Sequence, residues 1–211
     1  MARRTKEDAD ATRNSLLDAA ERVFYDKGVA RASLGEIAQA AGATRGAIYW
    51  HFKDKVDLFN AMMDRVTLPL ELACNAGEAA CAVQAPLQRL RALVDHLLGC
   101  IESDEHTRRV FEIAMYRIEY VSELSSVRER HRDSQARFHA LLARDLTAAA
   151  HEHGVALPLP VPAAATGLWA LFDGLLQTWI LNGAPFALRA TGRQVIDVYL
   201  CGLGFALALE A

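Results

Sequence analysis

The stretch Ser33-Leu-Gly-Glu36-Ile-Ala-Gln-Ala-Ala-Gly42-Ala-Thr44-Arg45-Gly46-Ala-Ile-Tyr49-Trp50-His51-Phe52 decides the fold. Ser33 followed three residues later by Glu36 is a capping box, which starts a short helix. Gly42 stands where that helix must stop in a left-handed conformation. Thr44 caps a second short helix, which ends near Phe52. Within it Ile48 and Phe52 lie four apart on one face, suited to a core, while Arg45 and Tyr49 lie four apart on another. Two short helices joined by a tight turn, the second with a polar outer face, read as a helix-turn-helix whose second helix enters a DNA groove.

The side chains of that second helix suit the task. Arg45 is in the first turn, where helix-turn-helix proteins meet base edges. Its guanidinium matches the two acceptors of a guanine, worth about 1–3 kcal/mol of discrimination. Gly46 lowers helix propensity by about 1 kcal/mol, and a close approach of backbone to the groove wall is the expected compensation. Tyr49 suits a thymine methyl or a phosphate. Trp50 and His51 are expected beside the sugar-phosphate strand, and Lys55 at the start of the next helix beside a phosphate. Ser33 and Thr44, the two caps, complete the set expected to face DNA.

The whole chain qualifies this reading without opposing it. Its 211 residues are 52% hydrophobic and 23% charged, a globular composition. The net charge is −3, unusual for a binder of polyanions. The charge is unevenly spread: residues 1–65 hold 11 Lys+Arg against 10 Asp+Glu (+1), and the remainder 12 against 16 (−4). Basic residues gather at the N-terminus and around the turn, and local placement sets the footprint on phosphates. Cys74, Cys81, Cys100 and Cys201 form no CxxC pair. Reduced thiols and a cytoplasmic location are expected, with no metal, no cofactor and no catalytic group. The Arg/Lys/Asp-rich start does not read as a signal peptide. No segment has the ~18 uncharged apolar residues of a membrane span.

Helical signals dominate throughout, so the fold class is all-α with about nine helices. Residues 1–8 read as a basic arm and 9–54 as a helix-turn-helix DNA-binding domain. Residues 55–211 are the remaining helical region, which the family resemblance given below implies is a ligand-binding and dimerisation domain. Helices are expected at about 10–27, 34–41, 45–52, 55–73, 87–103, 105–120, 123–153, 163–182 and 191–209. Residues 74–86 read as a joint, and Leu157-Pro-Leu-Pro-Val-Pro162 as a rigid connector. The last two helices are apolar on most sides, more than one internal contact needs. That suits a homodimer, which sets two recognition helices about 34–36 Å apart on a palindrome.

The motif resembles the TetR family of bacterial repressors. The resemblance rests on Ala19-Ala20…Phe24…Gly28, on Ser33-Leu-Gly-Glu-Ile-Ala, and on Gly42-Ala-Thr-Arg-Gly-Ala-Ile-Tyr-Trp-His-Phe-Lys-Asp-Lys55. Thr107-Arg108-Arg109…Glu112-Ile113 and Asp173-Gly174-Leu175 look like its AcrR/TtgR branch, which represses multidrug efflux operons of the RND type. The resemblance implies three helices for DNA and six for sensing and dimerisation through the last two. It also implies a pocket for small hydrophobic or aromatic inducers. Phe111, Met115 and Asp173 fall at its lining positions, with Trp169, Leu176 and Gln177 near Asp173 on one helix face. Phe111 and Met115 replace polar groups of relatives, so a more apolar pocket is expected. A lone carboxylate in an apolar helix is costly to bury, and Asp173 is either a ligand contact or the member of an internal ion pair or cap.

Three other readings have less in the residues to carry them. A TetR-type repressor of another regulon, such as fatty-acid or redox metabolism, would share the same head. A purely architectural DNA binder would not need the long apolar C-terminal region. For a helical enzyme, His151-Glu152-His153 lacks the HExxH spacing, and neither a GxSxG elbow nor a phosphate-cradling glycine loop is present.

Overall fold

The structure, a computed structural model, describes residues 6–80, 85–118 and 125–207, with backbone alone at 69–80 and 125. Among the described residues all regular structure is helical: α1 (Lys6–Lys27), α2 (Leu34–Ala40), α3 (Arg45–His51), α4 (Lys55–Ala80), α5 (Pro86–Ser103), α6 (Glu105–Tyr116), α7 (Ser125–His153), α8 (Val161–Leu181) and α9 (Leu188–Gly202). By contact the chain forms two compact units. One holds residues to Pro69 with His106–Arg130, the other Leu70–Glu105 with His131–Ala211.

In the first unit, α1 begins at Lys6, so residues 6–8 of the expected arm are helical. Glu7 and Asp8 in its first turn suit the positive end of the helix dipole. The arm's Arg3 and Arg4 lie outside the described residues. Leu16, Leu17, Ala20 and Phe24 are fully buried along one stripe, and α1 ends at Gly28 with φ +82. α2 and α3 pack on α1. The Phe24 and Phe59 rings, 6.1 Å apart, join α1 to α4. By contact, α4 to residue 69 and α6 belong to the same unit as α1, α2 and α3.

Caps fix where these short helices begin. The Ser33 hydroxyl accepts from the Glu36 N–H at 3.2 Å, while the Glu36 carboxylate accepts from the Ser33 N–H at 3.0 Å. Lys27 donates to the other Glu36 oxygen at 2.6 Å. The Lys27 ammonium first, then the Ser33 bonds, lower the Glu36 carboxyl from 4.5 to about 2. Asp54 and Asp57 repeat the device at α4: Asp54 accepts from Asp57 N–H at 2.8 Å and Asp57 from Lys53 N–H at 3.0 Å.

In the second unit, α9 packs against both α5 and α8. Leu90, Val94, Leu97, Leu98 and Ile101 form the buried stripe of α5. Ion pairs tie its polar edge to α9. Arg91 binds Asp197 through two bonds of 2.7 and 2.6 Å, and Asp95 accepts from Arg189 and Arg193. Arg189 beside Asp95 holds that carboxyl well below the usual range against the opposing effect of burial. Glu102 accepts from the Leu188 N–H at 2.6 Å and so caps α9 from across the unit.

Several boundaries differ from the sequence expectation. The expected joint after Ala73 is helical to Ala80, and its residues 81–84 lie outside the described set. Gly77 inside that Ala/Glu-rich run costs only about 1 kcal/mol of helix propensity, too little to stop a helix. α6 ends at Tyr116 rather than 120. α8 starts at Val161 because Pro162 is tolerated in a first helical turn, so the connector ends at Pro160. α9 runs three residues earlier and stops seven earlier than expected. Gly204 adopts φ +102 and the chain turns back, burying Leu203 and Phe205. Apolar content in 203–207 reflects that packed turn, and 208–209 lie outside the described residues.

A Cβ at Gly167 of α8 would meet the Tyr199 hydroxyl at 2.2 Å, and that hydroxyl donates to the Ala164 carbonyl at 2.9 Å. Gly167→Ala is expected to lower stability by about 2 kcal/mol. Tyr199→Phe should cost about 1 kcal/mol, and the double variant less than the sum, measured by denaturant unfolding. The lowered Glu36 carboxyl stabilises the folded state above pH 4.5, and that contribution fades as pH falls from 4.5 to about 2. The melting-temperature gap between the native protein and Glu36→Gln should be constant above pH 5 and close across that window.

Candidate nucleic-acid interface

The outer face of α3 is built from both of its ends. Thr44 caps it, accepting from the Ala47 N–H at 3.2 Å. Phe52 closes it, donating its backbone N–H to Ile48 O at 2.8 Å. Ile48 is fully buried and Phe52 nearly so, which fixes the rotation of the helix. Turning that face inward turns Arg45, Gly46, Tyr49 and Trp50 to solvent. Tyr49 is 50% and Trp50 73% exposed, large apolar groups with no core to enter. The Arg45 guanidinium lies 5.9 Å from the Tyr49 ring centroid, so one turn presents a cation and an aromatic together. Beside Gly46 a Cβ would meet no neighbour nearer than the Thr44 hydroxyl at 4.0 Å. The backbone there is open to an approaching surface.

Other expected residues turn out to serve the scaffold. The Ser33 hydroxyl donates to Glu36 at 2.9 Å, so while the capping box holds, its proton is not offered to a phosphate. Lys55 turns its ammonium to the carbonyls of Ala30 at 2.7 Å and Ala32 at 3.1 Å. Those carbonyls lie in the loop between α1 and α2, and binding them leaves Lys55 one N–H for a phosphate. His51 is half-buried, its ring meeting that of Trp50 edge-on at 4.5 Å, so it holds the indole as much as it faces outward. Two basic residues beside α3 escaped the sequence reading. Arg13 of α1 lies 5.3 Å from the Phe52 ring centroid, and Lys53 is exposed directly after α3. Arg13 is remote in sequence from the motif, and only the packing of α1 brings it there.

The expected ligand residues fall in separate units. Phe111 and Met115 are half-buried on α6. On α8, Trp169 joins Phe172 at 5.6 Å and Phe138 of α7 at 5.1 Å in an aromatic trio. Phe138 and Phe172 were not expected there, since an aromatic at helical spacing reads as plain core. Asp173 is half-buried rather than enclosed, and accepts from the Gln177 amide. Leu176 and Gln177 do not share a face: Leu176 is in the core and Gln177 in solvent, as a rotation of 100° per residue separates neighbours. Burial pushes the Cys100 thiol up, away from the thiolate that a redox sensor uses. Among the described residues no cluster of three or more His, Cys, Asp or Glu could hold a metal. No described helix is long and apolar enough to cross a membrane.

This geometry agrees with what the chain is similar to. Residues 16–62 match the family model for bacterial regulatory proteins of the tetR family. Residues 85–205 match that for the C-terminal region of MAATS-type transcriptional repressors. The HTH-type transcriptional regulator TtgR of Pseudomonas putida is 35% identical over 210 residues, all of both chains. AcrR of Shigella flexneri is 34% identical over 95% of this chain and 93% of its own. Among solved structures, NalD superposes with a TM-score of 0.83 at 32% identity, covering 93% of this chain and 98% of that one. NalD is the secondary repressor of the MexAB-OprM multidrug efflux pump in Pseudomonas aeruginosa. SmeT bound to triclosan superposes with a TM-score of 0.76 at 31% identity over 91% of each chain. With a capped, outward-facing recognition helix and similarity running the length of the chain, this protein belongs to the TetR family of bacterial transcriptional regulators.

Proposed function

We propose that this protein is a dimeric repressor that binds a palindromic operator and is released by small hydrophobic or aromatic compounds. Its regulon is a multidrug efflux operon of the RND type, and it works in the bacterial cytoplasm, where the operator is. The observation that carries the reading is the outer face of α3, where Arg45, Tyr49 and Trp50 stand exposed on a helix locked by Ile48 and Phe52. Arg45 and Tyr49 read bases; Gly46 admits the groove wall; Thr44, Trp50 and His51 meet the sugar-phosphate strand. Lys55 adds its remaining N–H, and Ser33 acts through the cap.

Support for efflux control comes from the full-length similarity to TtgR and to NalD. Support for a dimer comes from α8 and α9, which expose Leu181 at 70% and Val198 at 60%. Apolar side chains so exposed on the two terminal helices fit a self-complementary interface. For the inducer, the Phe138–Trp169–Phe172 trio supplies flat apolar surface, and Asp173 with Gln177 supplies a polar edge. Leu176 of α8 adds apolar contact within the same unit as the trio. Bound inducer favours a form whose heads no longer match one DNA turn, and operator affinity falls by the coupling energy, typically about 1–3 kcal/mol.

Selection from a random duplex library should yield a palindrome with half-sites one turn apart. Arg45→Ala should then lose about 1–3 kcal/mol of discrimination at one base pair of each half-site, with its melting temperature unchanged. Unchanged selectivity would remove the base-reading role from Arg45. Val198→Asp should shift the sedimentation coefficient from dimer towards monomer and weaken operator binding with it. A sedimentation profile equal to that of the unsubstituted protein would place the dimer contact elsewhere.

A further inference from the structure

One buried charge has no part in reading bases, lining a pocket or joining subunits. Glu21 of α1 is 5% exposed, among residues that are otherwise apolar. Two guanidiniums and an imidazole from two other helices converge on it. His106 Nδ1 is 2.5 Å from one oxygen and Arg109 Nη1 is 3.4 Å from the other, both from α6. Arg65 Nη2 of α4 stands 3.7 Å away, and its Nη1 donates to Asp18 at 2.7 Å. One turn on, the Tyr25 ring lies near two guanidiniums of the α6 region, with Arg109 at 5.5 Å and Arg117 at 5.4 Å from its centroid. Finally the Val29 N–H donates to the Arg117 carbonyl at 2.9 Å. The last turns of α1 are therefore held along their length by α6, with α4 sharing the anchor at Glu21. Elsewhere α1 carries α2 and α3.

Stability alone does not call for such a cluster, because a well-packed apolar group of similar volume stabilises a core as well or better. What a buried carboxylate adds is direction. It is costly to leave unpaired, so it accepts only arrangements that keep its partners in place. We infer that Glu21 is a positioning residue: through His106, Arg109 and Arg65 it sets α1, and with it the recognition helix, to the heading that α6 and α4 dictate. The inference rests on the repressor reading above. Glu21, His106 and Arg109 act through α1 and take no part in DNA contact.

The test uses the full-length protein, a duplex selected with it from a random library, and the variants Glu21→Gln, Arg109→Met and Arg109→Lys. Measurements are made at a temperature where circular dichroism shows every variant folded. Glu21→Gln and Arg109→Met should each weaken binding to the selected duplex roughly five- to tenfold, within the range of known coupling energies. Binding to a scrambled duplex should stay within about twofold, because phosphate contacts are untouched. The double variant Glu21→Gln/Arg109→Met should be no weaker than either single one, and Arg109→Lys should recover most of the loss. Selected-duplex affinity unchanged in both single variants, with only the melting temperature lowered, would reduce the cluster to a structural one. If the library yields no preferred sequence, it is the repressor reading that fails. Hydrogen exchange then decides the positioning role. Amides of α2 and α3 exchanging at least about fivefold faster in Arg109→Met uphold it, and unchanged exchange there overturns it.

Discussion

A helix of seven residues has no stability of its own, because the first turn costs more order than so few bonds return. Everything α3 offers to DNA therefore depends on burying Ile48 and Phe52 beneath it. Those two side chains set the rotation of the helix about its axis, and the caps at Thr44 and Phe52 set its ends. With rotation and ends fixed, Arg45 and Tyr49 have one direction left to face. Functional exposure is here a by-product of core packing one residue away. The same logic explains Gly46, whose lost helix propensity is borne by a helix that tertiary contacts hold in place.

The polar groups of the head divide the labour in a similar way. Ser33, Glu36, Asp54, Asp57 and Lys55 spend their hydrogen bonds on backbone ends and loop carbonyls. On α3 the side chains left facing solvent are the ones with delocalised charge or a π-face. An arginine, a phenol and an indole match the flat edges and stacked faces of bases better than a hydroxyl or a carboxylate would. In the other unit the ion pairs of α5 and α9 tie the two helices together, while Val198 of α9 stays 60% exposed.

The helix-turn-helix was fully legible in the residues, because each of its signals is local: a box three residues long, a glycine at a turn, an apolar pair four apart. What escaped was whatever depends on contacts across the fold. The partner of Lys55 lies 25 residues away, so its ammonium reads as a phosphate ligand until the loop carbonyls come into view. Arg13 is an ordinary helix residue in sequence and a neighbour of Phe52 in space. Glu21 looks like one more surface acid of α1, and only the arrival of α6 and α4 makes it a buried anchor. Helix ends depart from composition where tertiary packing outweighs it, as at Gly204, whose turn folds an apolar tail back rather than extending α9.

The chain has three tryptophans, and the fold treats them very differently. Trp179 is buried and donates its indole N–H to the Phe186 carbonyl at 2.8 Å, and Trp169 stands among phenylalanines. Trp50 alone is open to water, on the surface offered to DNA. The head thus carries one indole in water, and α8 carries two indoles sheltered to different degrees. Trp50 emission is therefore the most red-shifted of the three, and a change in it reports on the outer face of α3 separately from α8.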